Sequence, residues 1–227
     1  MVVAVDGYSS TGKSTVAKLI AKELGLVYID TGAMYRAVTY FALKSGLFNG
    51  DKVDEASLQR ALPTLKIHFE HSGESGKSET WLNNESVESE IRGMEVSNGV
   101  SVIASIPFVR RFLVEQQQRM GNEGNVIMDG RDIGTVVFPN ADVKFFMTAS
   151  PQVRAKRRYD ELIAKGDSVT YEEVEKNVIT RDYIDSHRSV SPLVQAEDAI
   201  VIDNGDMTIE QEVAFMVSVI KEHCDVC

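Results

Sequence analysis

The stretch "GYSSTGKST" at residues 7–15 decides the fold, and it does so together with what flanks it. Before it stands a short apolar run, "VVAV" at 2–5, closed by Asp6 and Gly7, which predicts a buried strand. After it, "KSTVAKLIAKEL" at 13–24 sets Val16, Leu19, Ile20 and Leu24 on one helical face before Gly25 stops the helix. Gly7 and Gly12 bracket Tyr8, Ser9, Ser10 and Thr11, and Lys13, Ser14 and Thr15 follow, which is the GxxxxGK[ST] spacing of a phosphate-binding loop. Such a loop works because backbone N–H groups and a helix N-terminus converge on an anion. Gly7 makes the tight turn out of the strand, and Gly12 lets the backbone close on the phosphate. Lys13 reaches the terminal phosphates, and the Ser14 hydroxyl is a ligand for Mg²⁺. Residues 7–15 are therefore the candidate ATP-binding set, and the loop alone does not name a reaction.

Working outward, "LVYI" at 26–29 predicts a second strand and Met34 to Lys44 a second helix. Strand, loop, helix, strand, helix opens a parallel sheet. "LKIHFE" and "ETWLNN" alternate around the turn-rich "HSGESGKS" at 71–78, which predicts an inserted antiparallel patch within 63–92. "NVIMD" at 125–129, "VKFFMT" at 143–148 and "AIVID" at 199–203 return to buried strands. The expectation is an α/β fold: a doubly wound parallel sheet with helices on both faces, one β-rich insert and a helical lid. Strand order is not readable from this pattern.

Composition bounds the partners. A chain of 227 residues at 43% hydrophobic and 26% charged is long enough to bury a sizeable core. A net charge of −10 argues against a general nucleic-acid or anionic-membrane surface. No apolar run is long enough to span a bilayer, and "MVVAVDG" has no basic n-region, so neither a membrane span nor a signal peptide is expected. Cys224 and Cys227 in "HCDVC" read as a reduced, frayed tail rather than a metal or redox pair. The expected location is cytoplasmic and the expected state monomeric.

The arginines then discriminate among users of the loop. "RAKRR" puts Arg154, Arg157 and Arg158 on one face of a helix beginning after Ser150 and Pro151, where close-set cations call for an anion more readily than a bare solvated face. Arg181, Asp185 and Arg188 form a second stripe, either a surface ion-pair ladder or two anion clamps around an acid. "MDGRDIGT" at 128–135 follows a strand at the edge where such sheets bind ligands. Asp129 is placed to hold Mg²⁺ through water, with Arg131 and Asp132 projecting into the same crevice. In "DTGAMYRA" at 30–37, Asp30 or Thr31 caps the next helix and Arg36 stands ready to grip a second phosphate. Two anion sites with arginines around them describe phosphoryl transfer between small phosphates, by alignment and charge cancellation rather than a covalent nucleophile.

With "DTGAMYR", "TWLNNESVESEIR", "SVIASIPFVR", "DGRDIGTVVFP", "RAKRR" and "RDYIDSHRSVSPL" beside the loop, the chain resembles the bacterial cytidylate kinase family over nearly its whole length. The resemblance implies transfer of the γ-phosphate of ATP to CMP or dCMP with Mg²⁺. It implies that Thr31, Tyr35, Arg36 and Arg131 serve CMP and its phosphate, Arg181 and Asp185 the ribose, and Arg188 the acceptor phosphate region. Ser101, Arg110 and Asp132 would read the cytosine edge. Lys13, Arg131, Arg154, Arg157 and Arg158 would stabilise the transferring charge, the last three from a lid that closes over ATP. It also implies a single kinase unit over 1–227. Its core would be 1–30, 95–150 and 190–227, its acceptor region 31–94, and its lid about 151–170. The chain departs from the family at Tyr8, where proline is usual, at Ser10 in a Gly or Ala position, and at Thr31, where serine is common. Kinases for UMP, shikimate or dephospho-coenzyme A would share the loop but not Ser101, Arg110 and Asp132 together. A nucleotide-dependent switch would have no use for the second anion site.

Overall fold

The computed structural model describes residues 1–72, 77–122 and 124–224. In chain order the elements are β1 (Val2–Gly7), α1 (Lys13–Leu24), β2 (Val27–Asp30), α2 (Thr31–Lys44), β3 (Phe48–Asn49), β4 (Lys52–Val53) and α3 (Glu55–Ala61). Then come β5 (Ile67–Ser72), β6 (Lys77–Leu82), β7 (Glu85–Ser86), α4 (Met94–Ser105), α5 (Pro107–Gly121), β8 (Val126–Gly130) and β9 (Val143–Thr148). The chain ends with α6 (Pro151–Ala164), α7 (Tyr171–His187), β10 (Ile200–Asp203) and α8 (Ile209–Cys224). Part of the turn expected across 71–78 lies outside the described residues, as do Cys227 and the Cys224 side chain. Among the described residues, no helix is long and apolar enough to cross a membrane. The chain forms two compact units, Met1–Asp30 with Gln117–Cys227, and Thr31–Gln116.

The first unit is built on a five-stranded parallel sheet in the order β10-β9-β1-β8-β2. β1 lies at its centre, which is why "VVAV" is uninterrupted: a parallel strand covered on both faces has no use for polar alternation. α1 packs beside α8 over the sheet, and Val16, Ala17, Ile20 and Ala21 close a core with Val3, Val5, Phe145, Met147, Met216, Val217 and Ile220. Leu19 is not on that face; it is 43% exposed. The alanines at 17 and 21 let α1 approach closely, and that choice turns Leu19 outward. Gly25 ends the helix at φ 68°, the left-handed geometry glycine adopts without strain.

The second unit packs α2 against α4, with the antiparallel sheet β5-β6-β7 alongside α2. α2 starts at Thr31, three residues before the expected Met34, because β2 runs directly into it. Gly99 sets the approach of α4: a Cβ there would sit 3.1 Å from Thr39 Cγ2 and 3.0 Å from Phe48 Cζ. The β5–β6 pairing is antiparallel, with Ile67 opposite Leu82, both buried.

Two constraints fix the C-terminal edge of the first unit's sheet. Gly7 has φ 147°, and a Cβ on it would lie 2.1 Å from the carbonyl oxygen of Met147 on the neighbouring strand. Asp6, 4% exposed, accepts backbone N–H bonds from Ile133 (2.8 Å) and Gly134 (2.7 Å), the start of a π-helical turn at Ile133–Val137. The end of β1 is thereby tied to the turn that follows β8, across a chain separation of 127 residues. Burial pushes the Asp6 carboxyl up to about 6, against the two N–H bonds that lower it; Asp132 adds to the rise.

Gly7→Ala is expected to cost more than about 3 kcal/mol of stability in a urea titration, since backbone cannot retreat as a side chain can. Asp6 also leaves a pH signature. Its carboxyl titrates near 6 when folded and near 3.8 when unfolded. Stability it contributes is therefore fully present below about 3.8 and is lost as pH rises to about 6. The stability of the wild-type chain minus that of Asp6→Asn is expected to fall between pH 4 and 6 and level off above; a flat difference would contradict the assignment.

Candidate active site

The loop at 7–15 joins β1 to α1 through three residues of positive φ: Gly7 at 147°, Ser10 at 59° and Gly12 at 91°. Ser10 is the one non-glycine among them, and its short polar side chain limits the strain. Gly12 caps α1 without a side-chain bond, and the first turn of α1 holds no acid, so the helix N-terminus keeps its positive character for an anion. Lys13 is only 5% exposed. Its Nζ donates to Tyr8 O at 2.5 Å and to Thr11 Oγ1 at 3.2 Å. Burial, reinforced by Arg131, holds its pKa well below that of an ordinary lysine, while Asp129 and Asp6 oppose the shift. The Ser9 Oγ is buried with no hydrogen-bond partner.

Ser14 turns from the first turn of α1 toward β8, where its Oγ donates to Asp129 Oδ2 at 2.8 Å. The Tyr28 hydroxyl donates to Asp129 Oδ1 at 2.7 Å. Burial, with the Asp30 carboxylate next, pushes the Asp129 carboxyl up to about 6. A hydroxyl and two nearby carboxylates are hard oxygen donors and fit Mg²⁺. No group of three or more His, Cys, Asp or Glu that could hold a metal exists among the described residues.

The turn after β8 and the helix α7 form a buried charged cluster. Arg131 Nε donates to Asp185 Oδ2 at 3.0 Å. Arg188 lies 3.9 Å from Asp185 Oδ1 and 3.8 Å from Asp132 Oδ1. Arg181, Asp185 and Arg188 are all buried, so their stripe is not a surface ladder. Burial and then Arg131 bring the Arg181 pKa down to about 10. Arg131 thus acts on both Lys13 and Arg181, placing the phosphate loop and the charged cluster side by side within one unit.

Each of the three arginines of α6 has protein acceptors of its own. Arg154 donates to Ala149 O, Ser9 O and Asp182 Oδ2. Arg157 grips the side-chain and backbone oxygens of Asn204 at 3.0 and 2.7 Å. Arg158 pairs with Glu161 at 2.7 Å. The expected mutual repulsion is relieved within the chain, by acceptors distant in sequence for Arg154 and Arg157 and by the next helical turn for Arg158. Asn204, fully buried just past β10, also donates to Thr11 O at 2.7 Å and Glu212 Oε2 at 2.9 Å.

In the second unit, Thr31 opens α2 and is buried, as are Tyr35, Ser101 and Arg110. The Arg110 guanidinium lies 5.4 Å from the Tyr35 ring centroid and donates to Ala104 O at 3.1 Å. Arg36 donates to Ile91 O at 3.0 Å. The expected site residues therefore assemble as two sets, one in each unit. Asp6, Tyr28, Asp182 and Asn204 were not singled out from sequence. Asp6 and Asn204 had a usable signal, since each lies where a parallel strand ends.

Comparison with known proteins bears on this arrangement. A cytidylate kinase of Parabacteroides distasonis is 56% identical over 217 residues, 96% of this chain and 95% of that one. A cytidylate kinase of Flavobacterium johnsoniae is 54% identical over 220 residues, 97% and 96% of the two chains. A crystal structure of an uncharacterized protein from Eubacterium ventriosum superposes with a TM-score of 0.51 at 11% identity, over 98% of each chain, a likeness of fold alone. The family model for cytidylate kinase matches residues 3–222, and the chain belongs to that family.

Proposed function

We propose that this chain transfers the γ-phosphate of ATP to CMP or dCMP, giving ADP and CDP or dCDP. One observation carries the reading: Lys13 of the phosphate loop is buried within electrostatic reach of Arg131, which itself bonds to Asp185 of the second charged cluster. The two relatives named as cytidylate kinases and the family match supply the identity of the acceptor.

The roles follow from the chemistry of each group. Nucleotide phosphates take the place of the Tyr8 carbonyl at the Lys13 ammonium, which then carries charge as the phosphoryl group moves. Ser14, with Asp129 through water, would hold Mg²⁺, which would supply charge neutralisation at the phosphates. Thr31, Tyr35, Arg36 and Arg131 serve CMP and its phosphate. Arg181 and Asp185 orient the ribose, and Arg188 steadies the acceptor region. Asp132 accepts from the cytosine N4 amine, and Ser101 and Arg110 complete the reading of the base. A carboxylate there disfavours the O4 carbonyl of uracil. The lid expected around 151–170 closes over ATP and shields it from water. The working location is the cytoplasm and the working state a monomer.

The test is ADP release from MgATP against CMP, dCMP, UMP, AMP, shikimate and dephospho-coenzyme A, repeated on Asp132→Asn. The wild-type chain is expected to prefer CMP and dCMP. The variant is expected to lose at least about tenfold in the CMP-to-UMP ratio of kcat/KM, with the KM for ATP within about twofold. Preference for another acceptor would refute the reading, and unchanged selectivity in the variant would refute the role of Asp132.

A further inference from the structure

The helices α6 and α7 both hydrogen-bond to the phosphate loop at Ser9. Arg154 Nη1 donates to Ser9 O at 2.9 Å, and Ser9 N–H donates to Asp182 Oδ1 at 3.1 Å. The two side chains are themselves joined, Arg154 Nη1 to Asp182 Oδ2 at 2.6 Å. Both backbone polar groups of Ser9 are thus held by one partly buried ion pair, from side chains 145 and 173 residues away in sequence. Arg154 is 3% exposed and fixed from behind by its Nε bond to Ala149 O. The Tyr8 ring lies 5.2 Å from its guanidinium, and that ring meets Phe146 edge-on at 5.8 Å.

Ser9 is a telling place for such a grip. It lies between Gly7 and Ser10, both at positive φ, in a loop without internal secondary structure. A loop of this kind has alternative conformations, and binding an anion selects one at an entropic cost. A bidentate hold on the middle of the loop removes that freedom before ligand arrives. Arg154 has its Nε and Nη1 committed to protein oxygens, which suits a support better than a phosphate ligand.

We propose that Asp182 is a positioning residue for nucleotide binding: with Arg154 it clasps Ser9 and holds the phosphate loop in its anion-binding shape. This rests on the reading of the loop as an ATP site. α7 also carries Arg181 and α6 carries Arg157 and Arg158, so the clasp keeps those cations in register with the loop. The Tyr8 ring covers the Arg154 guanidinium and adds to the hold on the loop.

The test measures MgATP binding by titration calorimetry, independently of turnover, on Asp182→Ala, Asp182→Asn, Arg154→Gln and the double variant Arg154→Gln/Asp182→Asn. Asn keeps an oxygen for the Ser9 N–H but presents an amide to Arg154; Asp182→Ala removes both arms. The Kd for MgATP is expected to rise about tenfold in Asp182→Ala and less in Asp182→Asn. The double variant should be no weaker than the weaker single. The KM for CMP should stay within about twofold and the Tm within a few degrees, which a general loosening of the fold would not allow. An unchanged Kd in Asp182→Ala, strictly additive losses, or a KM for CMP rising in step with the Kd overturns the proposal. A wild-type chain that binds MgATP, shows these losses and transfers nothing to CMP would leave the clasp standing and remove the kinase reading. A wild-type chain that binds no MgATP overturns both.

Discussion

A buried ammonium awaiting an anion is the constraint on which the first unit depends. Lys13 is enclosed with a carbonyl and a hydroxyl as its hydrogen-bond partners among the described residues. Arg131 lies close enough to repel it. Burying a cation in this way is unfavourable unless charge of the opposite sign is supplied. Asp6 and Asp129 supply part of it, yet burial raises both carboxyls to about 6, so the protein offsets the cation with acids that are themselves uncomfortable. Phosphate resolves the conflict at Lys13 and Arg131. Discrimination in favour of a polyphosphate is thus built into the folded chain before ligand arrives, although the net charge of −10 repels anions at long range.

The sheet makes this arrangement possible. β1 runs at the centre with β8 and β9 on its two sides. Their C-terminal ends present Asp6, Gly7, Asp129 and Arg131 along one edge, and β10 adds Asn204. Three of these are then braced by contacts from elsewhere in the sequence: Asp6 to Ile133 and Gly134, Asp129 to Ser14 and Tyr28, Asn204 to Thr11 and Arg157. In the second unit, close packing of α2 on α4 at Gly99 sets the positions of Thr31, Tyr35, Arg36 and Ser101 by the same logic of rigid elements.

Local features were legible in the sequence. The bounds of α1 and of β9 match the stretches read from apolar pattern and stop signals, and the antiparallel insert is present. The phosphate loop was legible because its chemistry is contiguous. The exposed Leu19 shows the limit of counting large apolar residues, since two alanines decided which face was buried. Strand order was not legible because parallel crossovers leave no short turn to read. The partners of Arg154 and Arg157 were not legible for a related reason. "RAKRR" looks like uncompensated charge until folding brings Asp182 to Arg154 and Asn204 to Arg157, across 28 and 47 residues.

The central claim is that the anion resolving this charge is a phosphoryl group passing from ATP to a cytidine monophosphate. Following ³¹P resonances of MgATP and CMP in the presence of the protein tests it most directly. The account predicts that ADP and CDP form in equal amounts while inorganic phosphate stays at its starting level, and that ATP persists when CMP is omitted. Growth of the inorganic phosphate signal without CDP would contradict it.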